Sequence, residues 1–194
     1  MIIVFGLGNN EGKYLETKHN AGRIVLESWV QDLGLKFEQK DKYYFAKETA
    51  SEPIYYVYSR GYMNTSGQAL QSFIDYFKIK FSPDDILIVL QDDSDQLTGN
   101  LKLVSGGGSA GHNGINDIYR HLLNWNLDLQ NMWRFKIGIR PENNRAKSET
   151  FVLSGCAPAE INWFKSLGLK WLEYTPLLLK RDWSKLQQNF HTKL

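Results

Sequence analysis

The chain has 194 residues, of which 42% are hydrophobic and 13% aromatic, and a formal net charge of +2. That length buries one sizeable core and leaves little room for a second, so a single domain over residues 1–194 is expected. The charge balance does not point to nucleic acid by itself, the single Cys156 excludes an internal disulfide and any Cys-rich zinc site, and no stretch approaches the roughly 18 apolar residues of a membrane helix.

Ile2 to Phe5, β-branched and aromatic and stopped by Gly6-Leu7-Gly8-Asn9, predicts a buried strand running into a glycine-rich loop. The run is too short, and too uncharged in front, for a signal peptide, and with one cysteine it predicts a cytoplasmic protein. Ile24, Val25, Trp29, Val30 and Leu33 recur at helical spacing up to a stop at Gly34. Tyr43–Lys47 and Ile54–Tyr58 predict two strands joined by a hairpin turn. Ser66 caps a second predicted helix with an apolar face of Leu70, Phe73, Ile74 and Phe77, and Pro83 ends that unit.

Ile86–Leu90 is the near-continuous apolar run of a strand covered on both faces, and it delivers Gln91-Asp92-Asp93-Ser94-Asp95 at its C-terminal end. Leu101–Val104 predicts a short strand, and a helix begins near His112. Trp133 to Gly138 alternates apolar and basic residues, which predicts a strand with one buried and one positive face. From Pro158 the pattern is helical with breaks at Gly168 and at Thr175-Pro176, and the last turn is expected to fray. Strands interleaved with helices predict an α/β fold, a three-layer sandwich whose mixed, twisted sheet is flanked by helices and gathers ligands beyond its strand C-termini.

Two His-Asn pairs beside glycines carry the chemical signal: His19-Asn20-Ala21-Gly22 and His112-Asn113-Gly114. Neutral imidazole is a general base near pH 7, and carboxamides beside adaptable backbone can hold a carbonyl or a water. The glycine run 106–114 can present N–H groups to an anion, but it lacks the Walker lysine, and a tight turn explains a lone glycine run equally well. A lone histidine is more often structural than catalytic; here Asn9, His19, Asn64, Asp92 and Asn113 all fall where such a sheet would gather them. His121 and His191 are read as ordinary helical residues, and Asp93 with Asp95 lacks the neighbours that complete a metal shell. Arg134, Lys136, Arg140, Arg145 and Lys147 stand against a single acid, Glu142, a candidate phosphate patch or, alternatively, a solvated strand edge.

Gly6-Leu7-Gly8-Asn9, Tyr14, Thr17 to Gly22, Met63-Asn64-Thr65-Ser66-Gly67, Asp92 to Asp95 and Gly106 to Gly114 occur in the order and at the spacing seen in bacterial peptidyl-tRNA hydrolases. The chain resembles that family from residue 2 to about Leu153. The resemblance implies cleavage of the ester between a peptide and the 3′-terminal ribose of tRNA. In that reading His19 takes a proton from water, Asp92 orients its ring, Asn9 and Asn64 hold the peptide end, and Asn113 positions the water or the oxyanion. Tyr14 and Met63 line the cleft, Asn20, Gly111 and His112 join the substrate-binding set, and Lys102, Arg134 and Lys136 face tRNA. The partner implied is tRNA, through its acceptor stem and 3′ end, met by a monomer with no cofactor, metal or membrane.

The chain departs from the family pattern at Asn10, where proline is usual, at Lys18 for arginine, and at Ile115-Asn116 for Leu-Lys. Val104 replaces a second lysine, and the strand ending Gly138-Ile139-Arg140-Pro141 lacks a glycine. Two alternatives stay open: a paralogue that binds RNA without hydrolysis, and an aminoacyl-tRNA-dependent acyl transferase or hydrolase.

Overall fold

In the computed structural model, which describes residues 1–191, one seven-stranded sheet organises the chain. Strands β1 (Ile2–Gly6), β2 (Glu38–Gln39), β3 (Tyr43–Thr49), β4 (Pro53–Ser59), β5 (Ile86–Leu97), β6 (Leu101–Ser105) and β7 (Met132–Arg140) lie in the order β2-β3-β4-β1-β5-β7-β6. The inner strands β4, β1, β5 and β7 are parallel, whereas β2, β3 and β6 pair antiparallel at the two sides. The expected mixed α/β sandwich is the fold observed.

Alternation along β1 assigns its side chains to two cores. Ile2 and Val4 pack with α1 (Ala21–Asp32), α5 (Pro158–Leu179) and α6 (Trp183–Phe190) on one face. Ile3 and Phe5 pack with α2 (Ser66–Phe77) and α3 (Asn113–Trp125) on the other. A short helix, α4 (Ser148–Phe151), follows β7. Trp171 stacks on Trp29 at 4.9 Å and Trp183 on Trp133 at 4.0 Å, so these C-terminal aromatic residues cover the core. No helix among the described residues is long and apolar enough to cross a membrane.

Four expectations need correction. Ser66 does not cap α2: its hydroxyl donates to Met63 O, and the start of the helix is instead satisfied by Asp117 Oδ2, which accepts from Gly67 N at 2.7 Å and Gln68 N at 3.3 Å. That helix ends at Lys78 (φ 51°), before Pro83 is reached. β5 continues past Asp92 to Leu97 because β7 keeps pairing with it, through a register shift between Asp93 and Leu97. α5 is unbroken over 22 residues. Gly168 serves a crossing rather than a break, since a Cβ there would stand 2.6 Å from Trp29 N in α1, and beside Pro176 the Thr175 hydroxyl donates to Trp171 O. The last turn of α6, expected to fray, is closed by His191 N donating to Gln187 O at 2.8 Å with Phe190 buried, and residues 192–194 lie outside the described residues.

Candidate active site

The C-terminal ends of β1 and β5 open into a cleft of about 550 Å³, lined among others by Asn9, Tyr14, His19, Met63, Asn64, Asp92, Gly111, His112, Asn113 and Lys136. Open parallel sheets place ligands at this end because the loops leaving the strands diverge there. A close backbone approach fixes the central pair: Gly22 sits where a Cβ would lie 2.0 Å from Leu90 O, so the first turn of α1 rests directly on β5. This contact brings His19, in the 3₁₀ turn Lys18–Asn20 just before α1, beside Asp92 on β5.

His19 Nδ1 lies 2.9 Å from Asp92 Oδ1, and His112 Nε2 approaches the same oxygen at 3.0 Å. An ionised carboxylate only accepts, so both nitrogens donate. For His112 the tautomer is fixed from the other side as well, because Gly114 N donates to its Nδ1 at 3.2 Å. For His19 the bond leaves Nε2 unprotonated in a ring that lines the cleft. Burial opposes charge on His19, but the field of Asp92 and its hydrogen bond outweigh that, and the pKa rises above its ordinary value. Burial likewise opposes charge on Asp92; His19 and His112 overcome it and hold the carboxyl well below the usual range.

These three side chains present donor atoms within 4.8 Å of one another, a spacing that a metal ion can use. The proton that Gly114 places on His112 Nε2 makes the arrangement a proton network, which a metal would have to displace.

The amides are placed by a backbone relay. Asn20 Oδ1 accepts from Asn9 N at 2.8 Å, and Asn20 Nδ2 donates to Asn9 O at 2.9 Å. Asn9 Oδ1 then accepts from Met63 N at 2.8 Å, which turns its NH₂ end towards the cleft. The same bond fixes the 3₁₀ turn Met63–Thr65 that exposes Asn64. Asn113 is exposed at the first position of α3, while the next residue, Gly114, is buried where a Cβ would meet Met63 Sδ at 2.6 Å.

The sequence profile of the Peptidyl-tRNA hydrolase family matches residues 3–194. The chain belongs to the peptidyl-tRNA hydrolase family. It is 32% identical to a peptidyl-tRNA hydrolase of Azoarcus sp. (strain BH72) over 192 residues, 98% of this chain and 84% of that protein. It is 37% identical to that of Lactobacillus helveticus (strain DPC 4571) over 147 residues, 74% of this chain and 75% of that protein. The crystal structure of the peptidyl-tRNA hydrolase from Acinetobacter baumannii superposes with a TM-score of 0.82 over 100% of this chain and 95% of that one, at 23% identity, which establishes the fold.

Within this peptidyl-tRNA hydrolase fold, several expected site residues serve other purposes. Asn20 is fully buried, with both ends of its amide committed to Asn9 and a further bond to Leu15 O; it braces the site and does not line the cleft. Arg134 is 4% exposed and donates to Gly106 O and Gly108 O, so β7 has no free positive face there. Arg140 is engaged with Ser94 O, Asn144 O, Ala146 O and Ser148 Oγ. The apolar-basic alternation missed this because the glycine loop and the 141–148 segment fold over that face and offer carbonyls to the guanidinium groups. Lys136 lines the cleft but is paired with Asp93 at 2.6 Å, while Lys102, directly opposite it on β6, is exposed.

Sequence reasoning missed the partnership of His112 with Asp92, and also Gln91, Glu149 and Leu153 in the cleft wall. The His-Asn-Gly motif signalled the first. Nothing in the sequence spacing signalled the last two, which arrive from beyond β7.

Proposed function

We propose that the protein hydrolyses the ester between the peptide, or an N-blocked aminoacyl group, and the 3′ ribose of tRNA, with His19 as general base. The observation that carries this reading is the 2.9 Å bond from His19 Nδ1 to Asp92 Oδ1, which leaves Nε2 free in the cleft. Nε2 takes a proton from water as the water oxygen attacks the ester carbonyl carbon. The imidazolium that forms is stabilised by Asp92. As the carbon–oxygen bond to the ribose breaks, Nε2–H returns the proton to the leaving 3′ oxygen, releasing a peptide acid and a tRNA 3′ hydroxyl. No covalent intermediate on the protein is required.

The NH₂ groups of Asn9 and Asn64 would hold the peptide carbonyls, and that of Asn113 the water or the developing oxyanion. Tyr14 and Met63 supply apolar walls, and Gly111, with a left-handed φ of 78°, lines the same cleft. Lys102, with Lys136 behind it, would meet phosphates of the acceptor stem, giving sequence-tolerant binding suited to many tRNAs.

Single-turnover release of peptide from an N-blocked aminoacyl-tRNA tests this reading. His19→Ala should lower release about 10²–10⁴-fold while tRNA binding stays equal. Unchanged release in the variant would overturn the assignment of His19.

A further inference from the structure

Three successive carbonyls of the glycine loop turn inwards. Arg134 Nη2 and Nη1 donate to Gly106 O and Gly108 O at 2.7 and 2.9 Å, and Tyr119 Oη donates to Gly107 O at 2.5 Å. No peptide bond among the described residues is cis, so the N–H following each carbonyl points the opposite way. The N–H groups of Gly107, Gly108 and Ser109 therefore face outwards, and none has a protein acceptor among the described residues. Gly106 and Gly107 have left-handed φ values of 58° and 80°, backbone that glycine adopts without strain.

The charge behind this turn is unbalanced. Arg134 is 4% exposed, all its hydrogen bonds go to neutral carbonyls, and no carboxylate among the described residues pairs with it. Its Nε is buried without a partner. Buried charges in proteins are ordinarily matched by an opposite charge, and the loop that covers Arg134 exposes Gly107 and Gly108 on its outer face. On β6, Val104 lies directly opposite Arg134, and two residues along the same face Lys102 is exposed, extending the positive rim towards the cleft.

We propose that the outward N–H groups of Gly107, Gly108 and Ser109, backed by Arg134, form an anion site that takes one phosphodiester group of the RNA substrate. Arg134 acts from behind the loop as a positioning charge and touches no phosphate. Val104, where the lysine is missing, thus stands beside a backbone site for the same kind of ligand. That the ligand is RNA rests on the tRNA reading above, whereas the anion chemistry does not.

The site can be altered without reshaping it. Gly107 is fixed, because its φ is left-handed and a Cβ would stand 2.9 Å from Arg134 Nη2, whereas a Cβ on Gly108 meets nothing within 4 Å. The test is an amide NMR titration of the full chain with a CCA-ended acceptor-stem minihelix and, separately, with inorganic phosphate. The amide protons of Gly107, Gly108 and Ser109 should move downfield saturably with the minihelix. Gly108→Glu should weaken minihelix binding about tenfold and lower the slope of log K against log salt by about one, while Gly108→Ala binds like the native chain. Unmoved loop amides at saturating minihelix, or an equal loss in Gly108→Ala, would each overturn the proposal, whereas saturation by inorganic phosphate as well would support the anion site. The titration needs no turnover, so a failure to hydrolyse the ester would sink the hydrolase reading and leave this one standing.

Discussion

His19 and His112 donate to the same oxygen of Asp92, at 2.9 and 3.0 Å. The N–H of His112 therefore draws on carboxylate charge that would otherwise act on His19 alone. Removing it in His112→Ala should raise the His19 pKa further, moving the acid limb of the kcat/KM profile to higher pH. Peptide release measured from pH 5 to 9 checks this, and a limb that stays in place or moves down would show that His112 does not share the charge.

Asp92→Asn removes the charge that keeps His19 basic and fixes its tautomer. Turnover at pH 7 should fall about 10²-fold or more, with tRNA binding retained. The same pair shapes stability. His19 is raised above 6.5, so its contribution is full below that pH and is lost as pH rises through the folded value; Asp92 is lowered from 3.8, so its contribution is present above that pH and lost as pH falls through the folded value. Urea midpoints against pH should thus show an acid limb in the native chain that is shallower in Asp92→Asn.

Gly22→Ala puts a methyl group 2.0 Å from a backbone carbonyl of β5, where no rotamer change can relieve it. The loss should be about 2–4 kcal/mol in urea unfolding, together with reduced turnover as α1 lifts away from Asp92. Gly12→Ala, where a Cβ meets nothing within 4 Å, is the control and should lie within about 0.5 kcal/mol of native.

Arg140 ties the 141–148 segment to the end of β5 through carbonyls of Ser94, Asn144 and Ala146. Arg140→Ala should release that segment, raising its amide exchange and exposing it to protease, at a loss of about 1.5–3 kcal/mol. Because Ser148 and Glu149 line the cleft just beyond it, KM should rise more than kcat falls.

The sheet was legible where periodicity reports burial directly. Ile2–Phe5 and Ile86–Leu90 are apolar on both faces because helices cover both, and Gly34 stops α1 with a left-handed φ of 69°. What eluded local reading was decided by distant chain. Gly168 and Pro176 read as helix breakers, but α5 continues across them because its packing on α1 overrides propensity. Arg134 carries the pattern of an exposed strand residue, and only the loop folded over it reveals the burial. Asn9, His19, Asn64, Asp92, His112 and Asn113 do converge on one cleft. Asn20 does not, since its neighbour Asn9 consumes its amide.

Asn113 is followed by glycine, the pairing that in a loose chain closes most readily to a succinimide and decays to aspartate. That ring closure needs the Gly114 nitrogen to swing onto the Asn113 side chain. Here the nitrogen donates to His112 Nδ1, and Gly114 is wedged against Met63 and Leu7 in the first turn of α3. The contacts that set the tautomer of His112 therefore also protect the neighbouring amide from chemical ageing, and the folded protein holds Asn113 as asparagine far longer than its sequence alone would allow.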